Sequence, residues 1–187
     1  SRIFARPAEL MVLPLAEAYS LIRPLLLSQT AEAYGIYDLW VGGVQVDTAN
    51  QNDILGDGTA WFDSSTNTLW LDNANITTAY TYDTSKNTTA FVYSNGIDLI
   101  VRGSAAIGGK ANYGICASNG TLTVNADLNI TMSSAGNAYA TTAMRCSDDI
   151  SILGGTMNLT GIASAVYSSN GNITISGGRL TLKGGGV

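Results

Sequence analysis

The sequence contains no histidine and only two cysteines among its 187 residues. Histidine is the side chain that most often titrates near neutral pH, and it is a common zinc ligand, so the usual general base and the usual zinc site are both excluded. Cys116 and Cys146 are too few for a disulfide scaffold and lack the spacing of a metal motif. We expect them to pack in the interior, with a single bridge as the alternative.

Charge is also scarce. Only 12% of the residues are charged, and nine Lys and Arg stand against fourteen Asp and Glu, which gives a formal net charge of −5. A nucleic-acid-binding protein needs clustered basic residues to neutralise phosphates, and the basic residues here are scattered. The composition therefore argues against a nucleic acid or an anionic membrane surface as the partner. Abundant Gly, Ser, Thr and Asn instead favour short strands and turns.

Residues 1–33 differ in composition from the rest, because they are rich in leucine and hold all three prolines. Pro14 and Pro24 favour two short helices over one long helix. We predict a helical arm or cap that covers the following domain, docks on a partner chain or mediates self-association. The apolar positions that form one helical stripe are Met11, Leu15, Ala18, Ile22 and Leu25.

The same segment lacks the long uncharged run of a transmembrane helix, since Glu17 and Arg23 interrupt it. Residues 31–33, "AEA", resemble a signal-peptidase site, so a leader-derived origin is an alternative for residues 1–33. The sequence thus predicts two parts, 1–33 and 34–187, and no membrane span.

The C-terminal half repeats one apolar pattern. Pairs of apolar residues recur 23, 28 and 23 residues apart, and a second pair follows each of the last three after a turn-forming dipeptide. The first pairs are Leu99/Val101, Leu122/Val124, Ile150/Ile152 and Ile173/Ile175, and the second pairs are Leu128/Ile130, Met157/Leu159 and Leu180/Leu182. We expect corners at Asn125-Ala126, Gly154-Gly155 and Gly177-Gly178.

Another matched position lies six residues before each first pair, at Tyr93, Cys116, Met144 and Tyr167. Three strands of three to five residues per repeat are too short to be stable alone, but equivalent strands stacked in parallel would share one interior. The pattern predicts a mostly β protein, a right-handed parallel β-helix with about three short strands per coil. A β-sandwich is the alternative. Because the chain ends directly after a strand, we also expect the β-helix to be truncated at its C-terminal end.

Upstream of the repeats, the run Trp61–Trp70 predicts a hairpin. If residues 64–67 form a four-residue loop, Phe62 faces Leu69 and Trp61 faces Trp70. Since Phe62 and Leu69 suit the core, alternation places the two tryptophans together on the opposite face.

The segment from Tyr37 onward resembles a known family. The run "LWVGGVQV…N…ILGDGT…FD…TNTLWLDNANI", followed by the NG-x-[LI]-x-[IV] repeats, is similar to secreted parallel β-helix proteins of gut bacteria that are described as carbohydrate-binding-domain-containing. The resemblance covers residues 37–187 and implies an exported, cell-surface protein that binds glycans. The family has small polar residues at the positions of Trp61 and Trp70, so these two side chains depart from its pattern.

Two indoles on a sheet surface can stack on sugar rings, which makes Trp61 and Trp70 the candidate glycan-stacking residues. The sequence therefore predicts a non-catalytic, adhesin-like module that binds a glycan or a host surface. The alternatives are that the indoles are covered by other residues, or that the protein is a structural or protein-binding module whose N-terminal segment docks on a partner.

Catalysis is a weaker alternative. A polysaccharide lyase or glycoside hydrolase needs convergent carboxylates, and the only adjacent acidic pair, Asp148-Asp149, has no partner carboxylate at the equivalent repeat positions.

The run 47–58 carries oxygen donors that calcium prefers but lacks EF-hand spacing, and turn stabilisation is the competing interpretation. Its candidate calcium ligands are Asp47, Asn52, Asp53 and Asp57. No other cofactor is expected.

Overall fold

All regular structure in the described part of the protein is β-strand. The computed structural model describes residues 34–134 and 141–185, and these ranges contain no helix. The helical arm predicted for residues 1–33 lies outside them. The strands are β1 (Ile36–Val41), β2 (Val44–Asp47), β3 (Ala60–Asp63), β4 (Thr68–Ile76), β5 (Tyr80–Asp83), β6 (Thr88–Asn95), β7 (Leu99–Lys110), β8 (Tyr113–Ser118), β9 (Leu122–Ser133), β10 (Thr142–Cys146), β11 (Ile150–Gly154), β12 (Thr156–Thr160), β13 (Ser164–Ser168), β14 (Ile173–Ile175) and β15 (Arg179–Lys183).

These strands form two mixed sheets. Sheet A has the order β13-β10-β8-β6-β1-β2, with β5 also paired to β6. Sheet B has the order β14-β11-β9-β7-β4-β3, and β12 pairs with both β9 and β15. Apolar side chains from both sheets, including Leu39, Phe91, Leu122 and Met144, form one buried cluster.

The C-terminal half stacks as its repeats predict. Ile150 pairs in parallel with Leu122 on one side and with Ile173 on the other. The second apolar pairs are also in register, since Met157 lies beside Leu128 and Leu180. Equivalent apolar side chains therefore lie directly over one another, because a parallel ladder keeps matching residues on the same face.

The prediction of three short strands per repeat is confirmed for the last two repeats, β10–β12 and β13–β15, but is wrong for the two earlier ones, in which β7 and β9 each replace two of the expected strands. Strand β9 runs without interruption through the expected corner at Asn125-Ala126, with Leu122 and every second residue to Met132 buried. Strict alternation of apolar and polar residues continues through that dipeptide, so nothing ends the strand. A corner does occur at Gly155, where φ is +93° and glycine is favoured.

The strand pairs within the N-terminal half, strands β1 to β6, are antiparallel, and this overturns the predicted right-handed parallel β-helix. Gly42 and Gly43, at φ +60° and +82°, form a two-residue turn that folds β2 back on β1. The β3–β4 and β5–β6 pairs are also antiparallel. Parallel neighbours need a long crossover, whereas these short turns join adjacent strands directly. The described fold is thus two mixed sheets and not a simple solenoid.

One turn sequence builds two of these hairpins. "DSSTNT" at 63–68 joins β3 to β4, and "DTSKNT" at 83–88 joins β5 to β6. In each, the aspartate Oδ1 accepts hydrogen bonds from the backbone N–H (3.0 Å) and the hydroxyl (2.6 Å) of the serine two residues later. An asparagine in the left-handed region, Asn67 or Asn87, closes the turn. The first hairpin was predicted and is confirmed, and the second was missed.

No segment of the described residues forms a helix with the length and apolar character needed to cross a bilayer.

Candidate functional site

The β3–β4 hairpin places two indoles side by side on the outer face of sheet B. Trp61 and Trp70 are directly paired across the hairpin, while Phe62 and Leu69 point into the core. The indole centroids are 6.2 Å apart and their planes differ by 8°. Trp70 is 36% exposed and Trp61 is partly exposed. The pair therefore forms an aromatic patch that solvent reaches.

Arg102 extends this surface onto the next strand. It is the register partner of Trp70 across the parallel β4–β7 ladder, and its guanidinium carbon lies 5.8 Å from the centre of the Trp70 ring. A cation at this distance from an indole face is held by the ring quadrupole. Asn125 follows in register on β9. Sequence reasoning missed Arg102, because the offset between β4 and β7 is set by tertiary packing and leaves no local signal.

A polar groove lies further along the same strands. It has a volume of about 430 Å³. Backbone and side-chain atoms of Asn73 hydrogen bond to the Ser104 hydroxyl at its edge, at 2.9 and 3.2 Å. Amides and hydroxyls offer both donors and acceptors, which suits a ligand rich in hydroxyl groups. The polar lining residues are Asn73, Ser104, Asp127, Asn129, Thr156 and Asn158.

The carboxylates proposed as calcium ligands are instead engaged in turns. Asp47 accepts hydrogen bonds from the backbone of Ala49 and Asn50 and from the hydroxyl of Tyr34, and the Tyr34 bond, as the largest cause, lowers the pKa of Asp47. Asp53 accepts the Gly58 N–H at 2.9 Å.

Asp57 makes the same kind of bond, to the hydroxyl (2.6 Å) and the N–H (3.0 Å) of Thr59, and these bonds lower the pKa of Asp57. Asn52 is exposed. Across residues 34–134 and 141–185, no three His, Cys, Asp or Glu side chains lie close enough to hold a metal ion. The competing interpretation, a turn held by its own side chains, describes this loop.

The acidic pair on the loop before β11 also has a structural role. The Asp149 carboxylate accepts the backbone N–H of Asn172 at 2.7 Å, and Asp98, two repeats before Asp149, accepts the N–H of Thr121 at 2.9 Å. These bonds link consecutive repeats at equivalent turns. The Asp148 carboxylate is within 3.4 Å of the Ser147 hydroxyl.

Both cysteines are unbridged and buried, which confirms the packing interpretation. The Cys146 thiol donates to the carbonyl of Gly120 at 3.0 Å. Burial raises the pKa of both thiols, so they are protonated at neutral pH.

Comparisons of the chain with protein-family models, with curated proteins and with solved structures find no match. The resemblance to exported gut-bacterial proteins thus stays a prediction.

Proposed function

We propose that the protein is a non-catalytic binding module that holds a glycan on the outer face of sheet B. The observation that carries the proposal is the Trp61–Trp70 pair, two nearly parallel and partly exposed indoles fixed by a hairpin. A large exposed aromatic surface on a folded protein usually serves binding, because leaving it in water is unfavourable. The apolar faces of pyranose rings match such a surface.

The surroundings of the pair support a saccharide over a purely apolar ligand. Arg102 places donors beside Trp70, and the groove beyond it is lined with amides and hydroxyls. A site with a few aromatic contacts and many exchangeable hydrogen bonds gives shallow, weak binding for each sugar unit. Affinity would then increase with the number of sugar units that contact the strands.

An extracellular, cell-surface setting belongs to the same proposal and rests on the sequence resemblance. The rival function is protein binding through the same two indoles, because tryptophan is enriched in protein interfaces. The two functions differ in the ligand that the two indoles bind, which is a glycan in the first and a protein in the second.

The test is retention on an array of plant, fungal and mucin oligosaccharides by wild-type protein and by Trp61→Ala, Trp70→Ala and the double variant. We expect at least one glycan to be retained. Each single substitution should weaken binding at least about tenfold, or about 1.4 kcal/mol, and the double substitution should abolish it.

Trp40→Phe is the matched control, since Trp40 lies on sheet A and stacks on Tyr80 at 4.5 Å. It should leave retention unchanged and leaves Trp61 and Trp70 as the only tryptophans, so ligand-induced fluorescence changes then report on the pair. No retention of any glycan, or equal retention by the double variant, would refute the proposal.

A further inference from the structure

Sheet A carries a second outward-facing row of side chains, distinct from the tryptophan pair on sheet B. In register across β6, β8, β10 and β13 it contains Tyr93, Cys116, Arg145 and Tyr167, of which Cys116 is buried. The repeat alignment had placed Met144 in this row. Met144 is instead fully buried and pairs with Ile115 on the inner face.

Arg145 replaces Met144 in this row because the segment between this row and the next strand is one residue shorter here than in the other repeats. Tyr93, Cys116 and Tyr167 each precede the next apolar strand by six residues, whereas Arg145 precedes Ile150 by five. A shift of one residue in a strand moves a side chain to the opposite face. The guanidinium thus occupies a position where the neighbouring repeats have an aromatic ring or a thiol.

Arg145 lies at a cleft of about 420 Å³ between β8, β10 and β13. Tyr113 forms one wall, and the Arg145 guanidinium carbon lies 5.3 Å from the centre of its ring. Tyr167, which is 47% exposed, forms another wall. The hydroxyl-bearing lining residues are Thr142, Ser164 and Ser169.

The charge of Arg145 has only neutral partners among the described residues. One guanidinium nitrogen donates to the Ser169 hydroxyl at 3.1 Å, and another lies 3.7 Å from the Cys116 sulfur. The only ion pair found in residues 34–134 and 141–185 involves Lys86.

The groups packed against the guanidinium do not supply a negative charge. Burial raises the pKa of the Cys116 thiol and of the Tyr82 and Tyr113 hydroxyls, so all three are protonated at neutral pH. A guanidinium has five N–H donors in a planar fork that matches a carboxylate, and a partly buried one gains most from such a partner.

We propose that this cleft binds a saccharide that bears a carboxylate, a sugar acid of the hexuronate type. The carboxylate pairs with the free donors of Arg145, the pyranose ring lies against the exposed Tyr167 side chain, and ring hydroxyls bond to Thr142, Ser164 and Ser169. An anion without a ring would leave the tyrosine face unused, and a neutral sugar would leave the guanidinium unpaired. The cleft therefore requires charge and ring together.

Further aromatic rings continue outward from the cleft on the same sheet. Tyr82 lies 6.5 Å from Tyr113 and is stacked on Tyr93 at 4.2 Å. All of them are partly exposed. A chain of several sugar units could extend from the cleft along these rings, so we expect oligomers to bind more tightly than monomers.

This proposal does not depend on glycan binding by Trp61 and Trp70, because the two sites use different residues on different sheets. The test is isothermal titration of the full chain, at low salt and neutral pH, with a trimer of galacturonate. Its fully methyl-esterified form keeps the rings and removes the charge. Sodium acetate and sodium sulfate supply the charge without a ring.

We expect saturable binding of the trimer, at least tenfold weaker binding of the methyl ester, and no measurable competition by equimolar acetate or sulfate. Arg145→Gln should lower the affinity for the trimer at least tenfold, and Arg145→Lys should recover only part of it. Tyr167→Ala changes an exposed position and should not affect folding. It should lower the affinity for the trimer, because the pyranose ring then loses its contact with the tyrosine while the carboxylate keeps Arg145. Arg179→Gln, a change at an exposed arginine on β15 outside both proposed sites, is the matched control and should retain wild-type affinity.

Three results would overturn the proposal: no binding of the trimer, equal binding of its methyl ester, or displacement by sulfate at equal concentration, which would show a general anion site. Circular dichroism of each variant shows whether a lost affinity reflects the cleft or a lost fold, and Tyr167→Ala still decides the question if the Arg145 variants fail to fold.

Discussion

Trp61 and Trp70 occupy directly opposed positions on β3 and β4, and their ring planes differ by only 8°. Pairs of this kind contribute stability beyond the area they bury, by about 0.5–1.5 kcal/mol. A double-mutant cycle of Trp61→Ala and Trp70→Ala, measured by urea unfolding, should therefore give a coupling free energy in that range. Additive effects of the two substitutions would show that the rings are not in contact in solution.

That pairing was predictable because its determinants are local. The loop Ser64–Asn67 fixes the register of the hairpin, and alternation then decides which side chains face out. The stacking of Leu122, Ile150 and Ile173 was also predicted from the apolar pattern, because stacked repeats place equivalent residues beside one another.

The architecture of the whole chain could not be predicted in the same way. The parallel repeats of the C-terminal half suggested a solenoid throughout, but the turn at Gly42-Gly43 and the two aspartate turns build antiparallel hairpins in the N-terminal half. Arg145 was missed because a loop shorter by one residue reverses the face of a side chain, and no composition signal marks that difference. Arg102 reaches Trp70 only through a ladder between strands distant in sequence.

Gly103, inside strand β7, should tolerate no side chain. Its φ is +91°, and a β-carbon built there would lie 1.8 Å from the carbonyl oxygen of Leu71 on the neighbouring strand. Gly103→Ala should combine backbone strain with overpacking and reduce the free energy of unfolding by about 3 kcal/mol or more.

Gly58→Ala is the matched control for this change. Gly58 has a φ of +76° but no atom within 4 Å of the added carbon, so only the backbone term of about 1–2 kcal/mol applies. Chemical denaturation of both variants measures the difference. Equal losses of unfolding free energy in the two variants would mean that the close approach of β7 to Leu71 adds nothing to the cost of Gly103→Ala.

Acid should weaken the β3–β4 hairpin. Hydrogen bonds from the hydroxyl of Ser65, from the hydroxyl of Thr66 and from the Ser65 N–H lower the pKa of Asp63. Because the pKa is lower in the folded than in the unfolded state, the stabilisation is fully present above the ordinary aspartate pKa of about 3.9 and is lost as the pH falls through the lowered value.

Melting temperatures measured from pH 6 to pH 2 should therefore fall steeply below about pH 4. Asp63→Ala should lower the melting temperature at pH 6 and flatten part of this dependence, and Ser65→Ala should flatten less of it because the Thr66 bond remains. An unchanged pH profile in Asp63→Ala would show that the carboxylate does not stabilise the turn.

Two isoleucines at equivalent positions of the stacked repeats differ in burial, so they show how much burial alone contributes to stability. Ile150 and Ile173 are direct neighbours in the same parallel ladder, but Ile150 is fully buried whereas Ile173 is 44% exposed. Removing a buried isoleucine leaves a cavity and costs about 2–5 kcal/mol, so Ile150→Ala should cause a loss in that range. Ile173→Ala removes a half-exposed side chain and should cost about 1 kcal/mol or less. Urea denaturation of the two variants gives both values, and similar losses would mean that the Ile173 side chain is not exposed in solution.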